Sequence, residues 1–517
     1  MFGAVGDGRT DDTEAFAAGF AYCASRGLTL RVPAGSFVLA HGEYRLPAGG
    51  AFGLEGEGAS SRIIRKAGSL DGRASVLIGV HAAAGRARSV VFRNLYIDGN
   101  RRDSQSAGLP APPDPRAYAY EQSANIKVYC SGPGSIDEVL IADIHFYDPV
   151  ADNIYIGPSA LACSIGSATV RDCVFERRDH VRSDVLFGSA VRDAAVLGCR
   201  GIENGERYSR IETEYSAIGR QNVSVTVSRC VVGAVELGGA TPLQSRAVLA
   251  DVTTTGHCIL SQTAVEATGC RLRIGRFDTG RSWVDAVVRL SGCTLSLPYD
   301  AATNTLFNLL TVRTAKALPY ALEFRDTEFL IEGAGPVASD KALVKLNPAR
   351  AAAGEAISAS FEGCRFDRRA AISIDCVGWP ELRSADNQYW SRPGGGGLRC
   401  GSNQTPSAVR SDGDRFFGGG ADFVIDVTGK AAFDLHVGGD YGSASPAQLA
   451  FGHDGLADAA IVSSRRFGGE RPPSGGGLAG DLYVVKPGAG GETAYIATRT
   501  SLSDAGWQAA PAGARQR

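Results

Sequence analysis

Residues 167–176, SATVRDCVFE, and 222–232, NVSVTVSRCVV, are the same unit written twice. Each carries a short β-branched strand with period-two alternation, then a polar turn, a cysteine and a second apolar stretch. The unit is an apolar residue, two variable residues, then Cys, Asp or Asn, one residue, and another apolar or aromatic residue. It recurs as VFRNLY at Asn94, LIADIHF at Asp143, VLGCRG at Cys199, ATGCRL at Cys270 and LSGCTL at Cys293. It continues as FRDTEF at Thr327, FEGCRF at Cys364, SADNQY at Asn387 and SDGDRF at Asp414, with weaker copies at Asp251 and Asp440. The copies stand mostly 19 to 37 residues apart, the length of one solenoid coil plus a variable loop. No helix of useful length lies between them. Each coil therefore returns to the same strand position, and strands stack in parallel about 4.8 Å apart.

The recurring Cys, Asn, Asp or Thr falls at one corner of every coil. There it is expected to form an internal ladder, thiols packing as small hydrophobes and Asn or Asp satisfying turn backbone. Open solenoid ends need covers. TDDTEAFAAGFAYCASRG supplies one at the N-terminus: Asp11 or Asp12 caps a helix whose apolar stripe is Ala15, Phe16, Phe20 and Cys23, and Gly27 ends it. LTLRVPAGSFVL follows as strand, turn and strand.

FGAVGDGRTDDTEAF followed by LRVPAGSFVL closely resembles the opening of the pectate-lyase-like superfamily, and the coil pattern extends the resemblance over roughly residues 2–440. That superfamily includes polygalacturonase-type hydrolases, polysaccharide lyases and phage tailspike depolymerases. The expected fold class is all-β: a right-handed single-stranded parallel β-helix solenoid with an N-terminal capping helix and a small C-terminal β module. The domain reading is a parallel β-helix over 1–463 with its cap in 1–40, a Gly/Pro-rich linker over 464–478, and a β module over 479–517.

Lys plus Arg total 53 and Asp plus Glu 55, a net charge of −2, which argues against nucleic acid. No run of 18 apolar residues appears, so no membrane span is expected. The opening MFGAVGDG has no basic start and no apolar run, so no signal peptide is read. The resemblance points to an extracellular setting or a phage or prophage particle. Tailspike members of the superfamily are trimers, so it also allows a homotrimer. The twelve cysteines include no CxxC pair and read as buried thiols. No metal or cofactor is expected for a hydrolase; a lyase would admit Ca²⁺.

Hydrolysis of a glycosidic bond needs two carboxyl groups. The richest segment is 152–214, read within DPVADNIYIGPS and the stretch 175–219. Asp152, Asp184 and Glu212 are separated by 32 and 28 residues, so they are expected to form a column of acids one coil apart. Glu212 and Glu214 lie two apart on IETEY, hence on one strand face. Clustered acids raise one another's pKa, as a general acid at neutral pH requires. RIETEYS resembles a coil in which relatives carry an acidic–apolar–acidic triplet on the substrate face. Glu212, Glu214, Asp184 and Asp152 are thus the catalytic candidates. Arg178, His180, Arg182, Tyr208 and Arg210 would contact substrate, or supply the base and positive charge that a lyase needs. Tyr155, and Tyr118 and Tyr120 in the Pro-rich excursion 101–122, could contact sugar rings. Trp283, Tyr299, Trp379 and Trp390 could extend the groove. The leading expectation is an endo-acting glycoside hydrolase on an extracellular or capsular polysaccharide. The alternatives are a lyase acting by β-elimination on a uronate polymer, and a non-catalytic glycan-binding tail fibre or adhesin.

Overall fold

The computed structural model describes residues 2–70, 76–104, 123–158, 163–176, 183–188, 191–202, 210–213, 224–238, 246–256, 258–261, 264–278, 286–298, 320–333, 342–346, 357–370, 372–377, 379–391, 396–401, 407–418, 421–425, 433–438, 449–451, 459–463, 466–469, 482–485, 493–497 and 507–509. The strands of the coils pair in parallel with their counterparts one coil away, which is a parallel β-helix. The chain forms two compact units. The first covers Met1–Glu266 with Cys270–Leu272 and Ser282–Val284; the second covers Ala267–Gly269, Arg273–Arg281 and Asp285–Arg517.

In the first unit each coil contributes a strand to three walls. Wall one stacks Glu43–Arg45, Val76–Ala82, Ala124–Cys130, Asp152–Pro158, Val185–Phe187, Arg210–Thr213, Ala234–Gly238 and Cys258–Ser261. Arg86–Asp98 and Ser135–Tyr147 each supply both other walls, because they bend at Asn94 and Asp143. Wall two continues through Ser164–Arg171, Val191–Leu197, Ser224–Ser228 and Arg246–Ala250. Wall three continues through Val174–Glu176, Arg200–Ile202 and Val231–Val232.

The bend between walls two and three explains the repeat. At its corner one residue per coil has positive φ: Asn94, Asp143, Asp172, Gly198, Arg229, Asp251, Asp326, Gly363, Asp386 and Gly413 are among them. The residue after it points inward and is buried: Leu95, Ile144, Cys173, Cys199, Cys230, Val252, Thr327, Cys364, Asn387 and Asp414. Asn94, Asp143 and Asp251 therefore belong to the left-handed column, not to the internal ladder, and their ladder partners are the next residues. Asn and Asp are enriched at left-handed positions because their short polar side chains bond local backbone. The ladder thiols share one geometry. Cys173 Sγ donates to the carbonyl of Arg171 at 3.3 Å, Cys230 Sγ to that of Ser228 at 3.2 Å, and Thr327 Oγ1 to that of Arg325 at 2.8 Å. All twelve cysteines are buried, and none is in a disulfide.

The N-terminal helix α1, Thr13–Ala24, buries Phe16, Phe20 and Cys23, and Phe20 stacks on Phe52 with centroids 4.7 Å apart. Asp12 precedes the helix, yet its carboxylate accepts from the amide of Val5 at 2.7 Å and makes no side-chain cap bond. Asp11 accepts from the amide of Thr13 at 3.1 Å instead.

The second unit repeats the coil with an aromatic ladder inside: Phe329–Phe366, Phe366–Tyr389 and Tyr389–Phe416 stack at 4.9, 4.9 and 5.1 Å. Trp379 is fully buried, so it fills core and lines no groove. Trp390 stacks on Phe417 at 4.9 Å. Trp283 and Tyr299 lie outside the described residues. A four-stranded sheet follows the coils: Arg466–Gly469 pairs in parallel with Leu482–Val485, and Thr493–Ala497 and Trp507–Ala509 add antiparallel. Its first strand falls within the 464–478 stretch read as a linker. Among the described residues no helix is long and apolar enough to cross a membrane.

Candidate functional site

Wall one collects the side chains with chemistry. Strand alternation sends every second residue out of the coil. The register aligns Glu43, Gly79, Lys127, Tyr155, Leu186, Glu212 and Glu236 in one column on the outer strand face, in which Gly79 and Leu186 are covered and buried. It aligns Arg45, His81, Tyr129 and Gly157 in a second. Between these columns, Val80, Val128, Ile156 and Phe187 point inward and are fully buried.

At one end of the first column two carboxylates meet one cation. Arg210 reaches Glu236 Oε2 at 2.5 Å and Glu212 Oε2 at 3.4 Å. Ser183 Oγ donates to the same Glu212 oxygen at 2.5 Å. Glu212 and Glu236 are cross-strand neighbours, with Cα atoms about 4.8 Å apart by strand spacing. At the other end, the Tyr129 ring lies flat on that of His81, with centroids 4.3 Å apart and planes 9° off parallel. The Tyr129 hydroxyl donates to Glu43. Lys127 Nζ sits 5.4 Å from the Tyr129 centroid and 5.1 Å from that of Tyr155. His81 Nε2 is 2.6 Å from Ser131 Oγ. Burial pushes the His81 pKa below its ordinary value, against the opposing pull of Glu43. Burial, then the bond to Glu43, pushes the Tyr129 phenol up.

Asp152 and Asp184 are not part of an outward column. Asp184 is 0% exposed and Asp152 1%. They also lie one register position apart: Asp184 aligns with Asn153, whose amide hydrogen-bonds the carbonyl of Ser183 at 3.0 Å. The two acids belong to a buried ladder at the entry corner of wall one. Asn125 Nδ2 donates to Asn153 Oδ1 at 2.9 Å, and Asn153 Nδ2 donates to Asp184 Oδ1 at 2.7 Å. Asp152 Oδ1 accepts from the amide of Ser183 at 3.1 Å. Burying polar groups costs less when they are bonded, and these three hydrogen bonds link the side chains of this corner from coil to coil.

Of the sequence candidates, the structure therefore brings together Glu212 and Arg210, with Tyr155 further along the same column. Glu214, Arg178, His180, Arg182, Tyr208, Tyr118 and Tyr120 lie outside the described residues. In sequence, Arg178, His180 and Arg182 shortly precede Val185–Phe187, Tyr208 precedes Arg210–Thr213, and Glu214 follows it directly. Sequence reasoning passed over Glu236, Ser183, Lys127, Tyr129, His81 and Glu43. One signal was available for Glu236: AVELG at 234–238 repeats the apolar–Glu step of RIET at 210–213.

No protein-family model matches the chain, and no curated protein does. Solved structures resemble it in fold. The pre-mature gene product 12 of bacteriophage phi29 is 14% identical, with 90% of this chain and 65% of that one covered and a TM-score of 0.45. The catalytic unit of an α-1,3-glucanase from Streptomyces thermodiastaticus is 10% identical over 88% of this chain and 68% of that one, with a TM-score of 0.37. The tailspike protein of Pseudomonas phage LKA1 is 14% identical over 89% of this chain and 83% of that one, with a TM-score of 0.35. The chain thus spans just under two thirds of the phi29 protein.

The chemistry open to wall one follows from its own side chains. Two carboxylates on adjacent strands can divide acid and base or nucleophile roles. A guanidinium between them holds their separation, and aromatic and ammonium groups along the column can face sugar rings and their hydroxyls. Among the described residues no set of three or more His, Cys, Asp or Glu side chains is gathered as metal ligands.

Proposed function

We propose that this chain binds a polysaccharide along wall one and hydrolyses its glycosidic bonds, with Glu212 and Glu236 as the carboxyl pair. One observation carries the reading: two outward glutamates in register on neighbouring coils, both reached by Arg210. The separation of the two carboxyl groups in the substrate complex decides the outcome, roughly 5–5.5 Å for retention and roughly 6.5–9.5 Å for inversion. Tyr155 and Lys127 supply substrate contacts further along the column. Glu214, Arg182, His180, Arg178 and Tyr208 join the proposal on the segments that border these strands, and Tyr118 and Tyr120 on the excursion 101–122. The extracellular or capsular polysaccharide proposed as substrate lies outside a cell or at a cell surface, which agrees with an extracellular or particle-borne protein.

β-Elimination is the second reading, and the cluster of Lys127, Tyr129, His81 and Glu43 favours it. A phenol, an imidazole and an ammonium within one patch could move a proton and balance a uronate carboxylate.

The test is incubation with a panel of neutral and acidic polysaccharides, followed by reducing-end and mass analysis. New reducing ends without unsaturated sugars are expected, and Glu212→Gln and Glu236→Gln should each lower the rate by about 10²–10⁴-fold. Unsaturated product ends that survive both substitutions would transfer the function to elimination. Binding with no shortening of any polymer would make the chain a glycan-binding protein.

A further inference from the structure

We infer that Ser183 is the positioning residue of the carboxyl pair, and that the buried acids serve the reaction only from behind it, Asp152 by holding Ser183 and Asp184 by holding the backbone of Arg210. The inference rests on the reading of Glu212 as a catalytic carboxylate.

Ser183 is fully buried, yet its hydroxyl leaves the core to meet the outer column. Every polar group of Ser183 is engaged. Its amide donates to Asp152 Oδ1 at 3.1 Å, and its carbonyl accepts from the amide of Asn153 at 3.0 Å. Its Oγ donates to Glu212 Oε2 at 2.5 Å. The next residue fixes the other half of the site. The amide of Asp184 donates to the carbonyl of Arg210 at 2.8 Å, and the carbonyl of Asp184 accepts from the amide of Ile154 at 3.0 Å. The Asp184 carboxylate receives Asn153 Nδ2, whose own oxygen receives Asn125 Nδ2. A ladder three coils deep thus ends on two neighbouring residues. One of them grips the acid, and the other grips the backbone of the arginine beside it.

The physical consequence is preorganisation. A glutamate on a strand surface has three side-chain torsions to lose before it can act. Here a donor anchored in the core fixes one carboxylate oxygen, and Arg210 closes on the same atom from the solvent side. Among the described residues the bonds to Glu212 fall on this one oxygen, which leaves the other for the substrate. Dipoles set in advance cost no reorganisation during the reaction. A displacement of about 1 Å at a reacting group can lower the rate about 10²-fold.

Three variants test this on the full chain: Ser183→Ala removes the donor, Ser183→Cys keeps the shape with a weak donor, and Ser183→Thr keeps the hydroxyl. With the panel's best substrate, Ser183→Ala and Ser183→Cys should lower kcat about 10²-fold with KM unchanged, and Ser183→Thr should recover most of the loss. Crystal structures of the parent and Ser183→Cys should show the Glu212 carboxylate leaving its place beside Arg210. Should Ser183→Ala fail to fold, Ser183→Cys carries the comparison. Full turnover in Ser183→Cys, a loss confined to KM, or a Glu212 carboxylate that stays put would each overturn the inference. The reading of Glu212 fails separately, if Glu212→Gln turns over as fast as the parent. The crystallographic comparison decides the positioning role even then.

Discussion

At the residue scale, buried carboxyls in this protein have two fates. Asp184 Oδ1 accepts from Asn153 Nδ2 at 2.7 Å within its ladder, whereas Asp414 sits at the end of a polar run in the second unit. Asp414 accepts from Ser411 Oγ at 2.6 Å, from Ser384 Oγ, and from the amide of Asn387 at 2.9 Å and its Nδ2 at 3.0 Å. Burial outweighs these donors and pushes its pKa up to about 6. The folded chain then holds a proton that the unfolded chain, near its ordinary value of about 4, has lost. This group's contribution to stability is therefore greatest below pH about 4 and declines as pH rises to about 6, by roughly 3 kcal/mol in all. Melting temperatures of the parent and Asp414→Asn across that window read the effect as a difference. The parent should lose ground to the variant as pH rises; parallel curves would show that Asp414 ionises normally.

At the element scale, the unit of construction is the corner dipeptide, a left-handed residue followed by an inward one. Most corners spend Asn, Asp or Gly on the first position, where φ is positive. Arg229 is the exception, with φ of 53°, and it is exposed. A left-handed conformation costs an ordinary L-residue roughly 1–2 kcal/mol, and Asn recovers part of that through local hydrogen bonding. Arg229→Asn should therefore stabilise the fold by about 1 kcal/mol, read as a higher denaturant midpoint. A lower midpoint would mean that the arginine side chain makes a contact worth more than the strain. The inward position is less particular: Cys, Thr, Asn, Asp, Leu, Ile and Val all occupy it. Leu, Ile and Val fill it with apolar bulk, Cys and Thr donate to the carbonyl two residues back, and Asn387 and Asp414 bond each other.

At the scale of the whole molecule, twelve thiols are dispersed through both units and none is cross-linked. Burial pushes the Cys258 thiol up to about 11 and that of Cys364 to about 12, so neither is a ready nucleophile. A thiol-specific reagent should label the folded chain slowly and all twelve sites in denaturant, and a reductant should leave the melting temperature unchanged. Fast labelling of the native chain would show coils that open readily. The coil itself was legible in the sequence. Repeated strand–corner–strand units at coil-length spacing determine a parallel solenoid, because every copy has to return its apolar residues to one shared core. The capping helix was legible for a similar reason, since Phe16, Phe20 and Cys23 form one stripe. The orientation of the acids was not legible. Successive strand residues face opposite sides, so an error of one position turns a core residue into a surface one. The segments between coils vary in length, so counting from Asp152 to Asp184 could not fix that position. Only strand pairing placed Asp184 beside Asn153 inside the coil, and Glu236 beside Glu212 outside it.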